Sequence, residues 1–147
     1  SGSLASALVV EVPEAALELN VTRVAVQIDP TNVAYVKKAM WVERPARLFQ
    51  RLLAETIRAR GNRVVLENEP PSGASEVLSG RLLAMGYDAA TRSALVRFDA
   101  VRTRGGQIQT RRSDAAQPVG EPDPDVPGPA LNRAANEVAR QVAEWVG

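Results

Sequence analysis

The chain has 147 residues, no histidine, no cysteine, and 18 basic against 17 acidic side chains. This length suits one domain with a buried core, and the balanced charge argues against nucleic acid as the main partner, because phosphate binding needs a cationic excess. The missing residue types exclude a disulfide framework, the usual zinc ligands and Cys- or His-based nucleophiles. We therefore expect a non-catalytic adaptor or binding domain without metal or cofactor.

The N-terminal part predicts a short strand and then two longer ones. Residues 1–3, Ser-Gly-Ser, are typical of a cloning remnant, so we expect the domain to occupy 4–147 and the natural N-terminus to be missing. The apolar run 7–12 indicates an extended segment, residues 24–28 alternate with the period of a half-buried strand, and 33–42 is rich in β-formers.

The clearest predicted helix begins at Pro45 and stops before Gly61. One of its faces is apolar, and a short strand over 64–66 and a loop over 67–74 follow it. The apolar face consists of Leu48, Phe49, Leu52, Leu53 and Ile57.

The second half predicts a three-stranded meander. Its strands are expected at 76–87, 94–103 and 107–113, with Val96, Phe98 and Ala100 facing inward. The third strand is polar, which indicates a sheet edge.

The C-terminal region predicts a flexible loop and a second helix. Residues 115–129 are rich in proline and acidic residues, which favours a mobile loop. In the helix, apolar residues recur at steps of four and three, and two i, i+4 pairs, Arg133 with Glu137 and Arg140 with Glu144, predict ion pairing on its outer face. The apolar stripe consists of Leu131, Ala135, Val138, Val142 and Trp145.

Two amphipathic helices need a sheet to cover, so this order of elements predicts an α+β fold. We expect a two-layer sandwich, in which a mixed or antiparallel sheet is covered by the two helices. No apolar run approaches the ~20 residues that span a bilayer.

In a chain without histidine or cysteine, carboxylates are the main side chains that could take part in catalysis. The acidic run Glu121, Asp123 and Asp125 has the ligand type for a hard cation, but its alternating prolines favour a solvated linker. Asp88 and Asp99 are the candidates for acid–base chemistry, but one lies in a predicted turn and the other on an outward strand face, which favours structural roles. No catalytic, cofactor or metal residue is therefore assigned.

Other notable residues also have structural interpretations. Gly105-Gly106 is expected in a β-hairpin, not between a strand and a helix, and so gives no phosphate loop. The basic pairs Lys37-Lys38 and Arg111-Arg112 are expected at solvated strand edges. For the aromatic residues, core packing and interface contact both stay open; these are Tyr35, Trp41, Tyr87 and Trp145.

Three short patterns follow one another along the chain. The first runs from Val33-Ala34-Tyr35-Val36 through Trp41-Val42-Glu43-Arg44-Pro45 into Leu48-Phe49-Gln50-Arg51-Leu52-Leu53, the second is Leu78-Ser79-Gly80-Arg81-Leu82, and the third is Ala130-Leu131-Asn132 with Ala143-Glu144-Trp145-Val146. In this order they resemble the ABC-type transport auxiliary lipoprotein family. The resemblance covers nearly the whole chain and includes no catalytic motif.

The resemblance implies a periplasmic lipoprotein, commonly anchored to the outer membrane by a lipidated N-terminal cysteine that this sequence lacks. It implies partnership with an ABC transporter whose substrate-binding component carries MCE domains and which moves phospholipid or related lipids. Two hypotheses follow: an accessory subunit that docks on this assembly and forms a homo-oligomer, or a lipid-binding shuttle or receptor.

Overall fold

The computed structural model describes most of the chain in seven stretches. They are residues 7–19, 23–29, 31–40, 43–61, 64–67, 76–119 and 129–147. In chain order the elements are β1 (Leu8–Val10), β2 (Glu14–Ala15), a 3-10 turn (Leu17–Leu19), β3 (Arg23–Asp29), β4 (Asn32–Met40), α1 (Pro45–Ala59), β5 (Val65–Glu67), β6 (Glu76–Asp88), β7 (Ser93–Arg104), β8 (Gln107–Pro118) and α2 (Pro129–Val146).

Strand β6 is the centre of one mixed sheet. On one side β7 and then β8 continue it as an antiparallel meander, paired along their whole lengths. On the other side three shorter strands run parallel to β6: β1 at its start, β2 near its middle and β3 at its end. Strand β5 pairs with β1, and β4 pairs with β3 in antiparallel fashion. The predicted α+β class with a mixed sheet and two helices is confirmed.

The period of two seen in the sequence sets the inner face of the meander. Val96, Phe98 and Ala100 are buried, as predicted, while the intervening Arg97 and Asp99 remain partly exposed. Successive side chains of a strand point to opposite faces, so one face packs on the helices and the other meets solvent. We call this second side of β6, β7 and β8 the open face.

Helix α1 begins and ends where the sequence predicted. Pro45 occupies its first turn, and the chain leaves it at Gly61, whose φ of +75° suits a residue without a Cβ. Its inward side is apolar and packs into the common core. The amide of Gln50 is also buried and donates a 2.9 Å hydrogen bond to the Val10 carbonyl oxygen, which ties the helix to β1.

Helix α2 buries the predicted stripe except for Trp145, which is half-buried, and contacts α1, β7 and β8. Its outer charges pair differently from the prediction. Arg140 contacts both Glu137 at 2.6 Å and Glu144 at 2.5 Å. The predicted pair of Arg133 with Glu137 is wrong, because Arg140 and Gln141 donate to the Glu137 carboxylate instead.

The structure corrects the extent of the predicted C-terminal loop. Strand β8 continues to Pro118, so the loop assignment is wrong for residues 115–118. These residues pair with β7, and Ala115 packs against the core. Composition alone suggested a loop there, whereas pairing with β7 satisfies the backbone of the segment. The rest of the predicted loop up to 128 lies almost entirely outside the described residues.

Among the described helices, none combines the length and the apolar character needed to cross a membrane.

Candidate interaction surface

The two carboxylates considered for acid–base chemistry have local structural partners. Asp88 ends β6 and accepts hydrogen bonds from the Ala90 backbone N–H and the Thr91 hydroxyl, each at 3.1 Å, which stabilises the β6–β7 turn. Asp99 lies on the open face and accepts two hydrogen bonds from Arg112, at 2.6 and 2.9 Å. Asp88 thus stabilises a turn, and Asp99 forms a cross-strand ion pair.

Charges of alternating sign cross the open face between neighbouring strands. Arg97 contacts Asp114 at 3.3 Å, next to the pair of Asp99 with Arg112. The Arg112 hydrogen bonds lower the pKa of Asp99, and the positive charges of Arg97 and Arg81 act in the same direction. This carboxylate is therefore held in its ionised form, which suits a structural ion pair better than a proton donor.

The remaining polar candidates are separated from one another. Gly105-Gly106 forms the tip of the β7–β8 hairpin with positive φ at both residues, as expected for a hairpin turn. The pair Arg111-Arg112 is exposed on β8, and Lys37-Lys38 falls in β4, whose side chains at those positions are not described. The acidic run Glu121, Asp123 and Asp125 lies outside the described residues.

The aromatic residues that the structure describes pack on the core. Tyr87 is buried, while Tyr35 and Trp145 are half-buried and lie against the core cluster. Trp41 lies outside the described residues. Packing therefore accounts for the three described aromatics.

One glycine of the second family pattern has a clear steric role. A Cβ at Gly80 would lie 2.2 Å from the Asp99 carbonyl oxygen and 2.7 Å from the Phe98 ring. That ring packs against Phe49 of α1, with centroids 5.0 Å apart and a tilt of 58°. The glycine thus allows β7 and its phenylalanine to approach β6 closely.

Three surface depressions were not anticipated from the sequence. One of about 310 Å³ lies beside the β6 bulge, where Leu83, Leu95 and Arg97 line it, and one of about 380 Å³ lies beside the β7–β8 hairpin. The third, about 510 Å³, lies between the β1–β2 connection and the start of α1. We call it the arginine cleft; its lining residues are Val12, Pro13, Glu14, Ala15, Arg44, Ala46, Arg47 and Arg81.

The arginine cleft is assembled from three separate parts of the chain. Arg44 and Arg47 come from the start of α1, Arg81 comes from β6, and Glu14 comes from β2 next to Arg81. Arg44 and Arg47 are 34 or more positions away from Arg81 along the sequence, so no local motif joins them. Only the pairing of β2 with β6 and the packing of α1 bring them together.

Comparison with solved structures shows which fold the chain has. A Xanthomonas campestris protein of a family defined only by sequence superposes with a TM-score of 0.84 at 17% identity, covering 95% of this chain and 82% of that one. The PelC dodecamer from Paraburkholderia phytofirmans gives a TM-score of 0.55 at 15% identity, covering 97% and 90%. A hypothetical protein from Chlamydia trachomatis gives 0.58 at 10% identity, covering 96% and 97%. The chain therefore has the α+β fold that these proteins share.

The family follows from the sequence match. The model of the ABC-type transport auxiliary lipoprotein component matches residues 1–143, and this chain belongs to that family. Membership makes it an auxiliary component of ABC-type transport and implies a periplasmic, membrane-associated protein. No curated protein matches the chain.

Proposed function

We propose that this protein is a non-catalytic accessory subunit of an MCE-type ABC lipid transport system. In this role it docks on or organises the assembly between the inner and outer membranes, and a lipid anchor holds it at the outer membrane. The observation that carries the proposal is the family match, which extends over nearly the whole chain. An accessory subunit needs a surface for protein contact, and the fold offers one.

The surface is the free edge of the meander. Strand β8 pairs with β7 along one side and has no other strand partner among the described residues. The outer edge of this 12-residue strand presents backbone N–H and C=O groups to a further strand, except at Asp114, whose carbonyl oxygen accepts a 3.4 Å hydrogen bond from the Gln141 side chain. Ile108 on this strand is 68% exposed, which is unusual for a large apolar side chain in this molecule. We therefore place partner contact, or contact with a second copy, at β8.

A homo-oligomer is consistent with this arrangement. One protein of similar fold forms a dodecamer, and repeated copies of one domain make the same contact many times in a closed ring. A ring of this chain would match the symmetry of a ring-shaped partner.

The absence of cysteine from the chain allows a direct test. A single cysteine in the Ile108→Cys variant, labelled with benzophenone maleimide and irradiated in native membranes, is expected to give adducts with the MCE protein or multiples of this chain. The matched control is Arg133→Cys on the outer face of α2, which is expected to give neither. A pull-down in mild detergent that recovers no MCE protein would contradict the proposal.

The alternative of a lipid-binding shuttle finds less support in the geometry. The inward residues of α2 are packed against the sheet with at most 5% exposure, which leaves no separation between helix and sheet for an acyl chain. The depression beside the β6 bulge reaches the ~300 Å³ of small-molecule sites, but it is open to solvent and has polar as well as apolar walls. Native mass spectrometry of protein purified from cells would reveal lipid that co-purifies with the chain.

A further inference from the structure

The arginine cleft brings three arginines together; Arg81 has a carboxylate opposite it on each neighbouring strand, Glu14 on β2 and Asp99 on β7. Arg44, Arg47 and Arg81 line it, and all three are exposed. Its one acidic lining residue is Glu14, which makes no ion pair within 4 Å in the described part of the chain. Three positive charges therefore face one negative charge across a depression of about 510 Å³.

Outside the cleft some described arginines are ion-paired and others, such as Arg60, Arg92 and Arg111, have no carboxylate within 4 Å among the described residues, so the cleft is distinguished by the convergence of its arginines on one space. Six described arginines have a carboxylate within 4 Å: Arg51, Arg58, Arg97, Arg102, Arg112 and Arg140. The three arginines of the cleft have none within the described residues. They converge on one space from two different elements, although like charges repel each other.

The backbone beside the arginines adds to the positive potential. Arg44 is the N-cap residue of α1, and its side chain makes no capping hydrogen bond. The first turn of the helix contains no acidic residue, and the carboxylate of Glu43, which precedes the N-cap, pairs with Arg51 at 2.6 Å. The partial positive charge at the helix start reinforces the field of the arginines, which are the groups that would contact a ligand.

We propose that the arginine cleft binds a phosphate ester. Guanidinium groups recognise phosphate through paired N–H donors, and several of them together favour a dianion with multiple oxygens over a single carboxylate. The cleft is larger than a bare phosphate ion and falls within the range of small-ligand sites. Its apolar wall, Val12, Pro13 and Ala46, suits the carbon-containing part of an ester.

The ester group has two possible sources, a soluble metabolite or the headgroup of a membrane lipid. The binding site is inferred independently of the transport role. Isothermal titration with glycerol 3-phosphate tests the soluble source, and flotation with phosphatidylcholine vesicles that contain phosphatidic acid, a lipid with a monoester phosphate, tests the membrane source. Vesicles of phosphatidylcholine alone serve as the uncharged reference, and raised salt is expected to weaken either interaction.

The decisive variant replaces Arg44, Arg47 and Arg81 with glutamine. Binding to whichever probe the native chain recognises is expected to fall about tenfold or more, because charge-assisted hydrogen bonds are lost. The matched control replaces Arg92, Arg104 and Arg133, which lie outside the cleft, and removes the same net charge. Its binding is expected to change by less than about twofold, since long-range charge is screened.

Binding of glycerol 3-phosphate that is lost only in the cleft variant supports the site with a soluble ligand, and binding of anionic vesicles alone supports it with a lipid headgroup. The proposal is wrong if the native chain binds neither probe, or if the control variant weakens binding as much as the cleft variant. Circular dichroism checks the fold of both variants, and Arg47→Gln alone provides a milder substitution with a smaller loss in the same direction.

Discussion

At the scale of single residues, the carboxylate of Glu76 is a charged group buried in the core. It is 1% exposed and lies at the start of the central strand, where Arg102 of β7 donates a short hydrogen bond to it. The same guanidinium group lies 3.5 Å from the Trp145 carbonyl oxygen near the end of α2. A buried charge is tolerated only when it is paired, so Arg102 connects the sheet to the helix terminus at this point.

The Arg102→Met variant should therefore be strongly destabilised. It removes the Arg102 cation from the buried Glu76 carboxylate, and we expect the free energy of unfolding to fall by about 3 kcal/mol. Urea denaturation at neutral pH provides the measurement. The matched control is Arg112→Met, which breaks the exposed pair with Asp99 and should lower the stability much less, because water screens this pair. Equal losses in the two variants would contradict this role of burial.

At the scale of elements, α2 combines a buried apolar stripe with an ion-paired outer face. Arg140 lies between Glu137 and Glu144 and contacts both of them. Its hydrogen bonds, with that of Gln141, lower the pKa of Glu137 from its ordinary value of 4.5 to about 2. The ionised carboxylate therefore stabilises the folded helix more than the protonated one does.

The depressed pKa gives a pH-dependent prediction. The contribution of Glu137 is fully present above pH 4.5 and is lost as the pH falls towards about 2, because in this range the unfolded chain, with the ordinary pKa of 4.5, takes up the proton before the folded chain does. Glu137→Gln should lower the free energy of unfolding by at most about 1 kcal/mol at pH 7, since water screens this surface pair. The difference between native and variant chains should disappear near pH 2.

Thermal unfolding at several pH values measures this effect. Glu55→Gln on the exposed side of α1 provides a control, because Glu55 has no ion pair in the described part of the chain. Its effect is expected to be small at every pH. A Glu137→Gln difference that persists undiminished at pH 2 would refute the pH-dependent role of the ion pair.

At the scale of the whole molecule, a single core joins both helices to the sheet. Phe98 of β7 and Phe49 of α1 are in contact near its centre, and both are almost completely buried. Gly80 of β6 makes room for the Phe98 ring, so one small residue supports the contact between the meander and the first helix.

Gly80→Ala should consequently destabilise the whole domain. The new methyl group would collide with the Asp99 carbonyl oxygen and the Phe98 ring, and we expect a loss of about 2–3 kcal/mol in the free energy of unfolding. Denaturant unfolding followed by tryptophan fluorescence provides the measurement. Ser79→Ala, one position away on the opposite face, should change stability by no more than about 0.5 kcal/mol. A native-like stability of Gly80→Ala would show that the sheet can relax at this position.

The local patterns of the sequence were sufficient to predict most of the helices and strands. The period of two in β7 and the Pro45-to-Gly61 limits of α1 arise from interactions between near neighbours, and both predictions are confirmed. The extension of β8 through Pro118 was missed, because its stability comes from pairing with β7 and not from its own β-propensity. The sequence pattern for ion pairs on α2 was also incomplete, since side-chain rotamers decide which of two neighbouring arginines, Arg133 or Arg140, contacts Glu137.

By itself, the sequence determined the α+β class, the two amphipathic helices, the meander and the family, because these depend on periodicity and on the order of short patterns along one chain. Only the tertiary structure decided that Arg44, Arg47 and Arg81 share one cleft, that Arg102 neutralises Glu76, and that Gly80 lies beneath Phe98. Each of these groupings joins residues distant in sequence, and their proximity follows from strand pairing and helix packing, which no local pattern encodes.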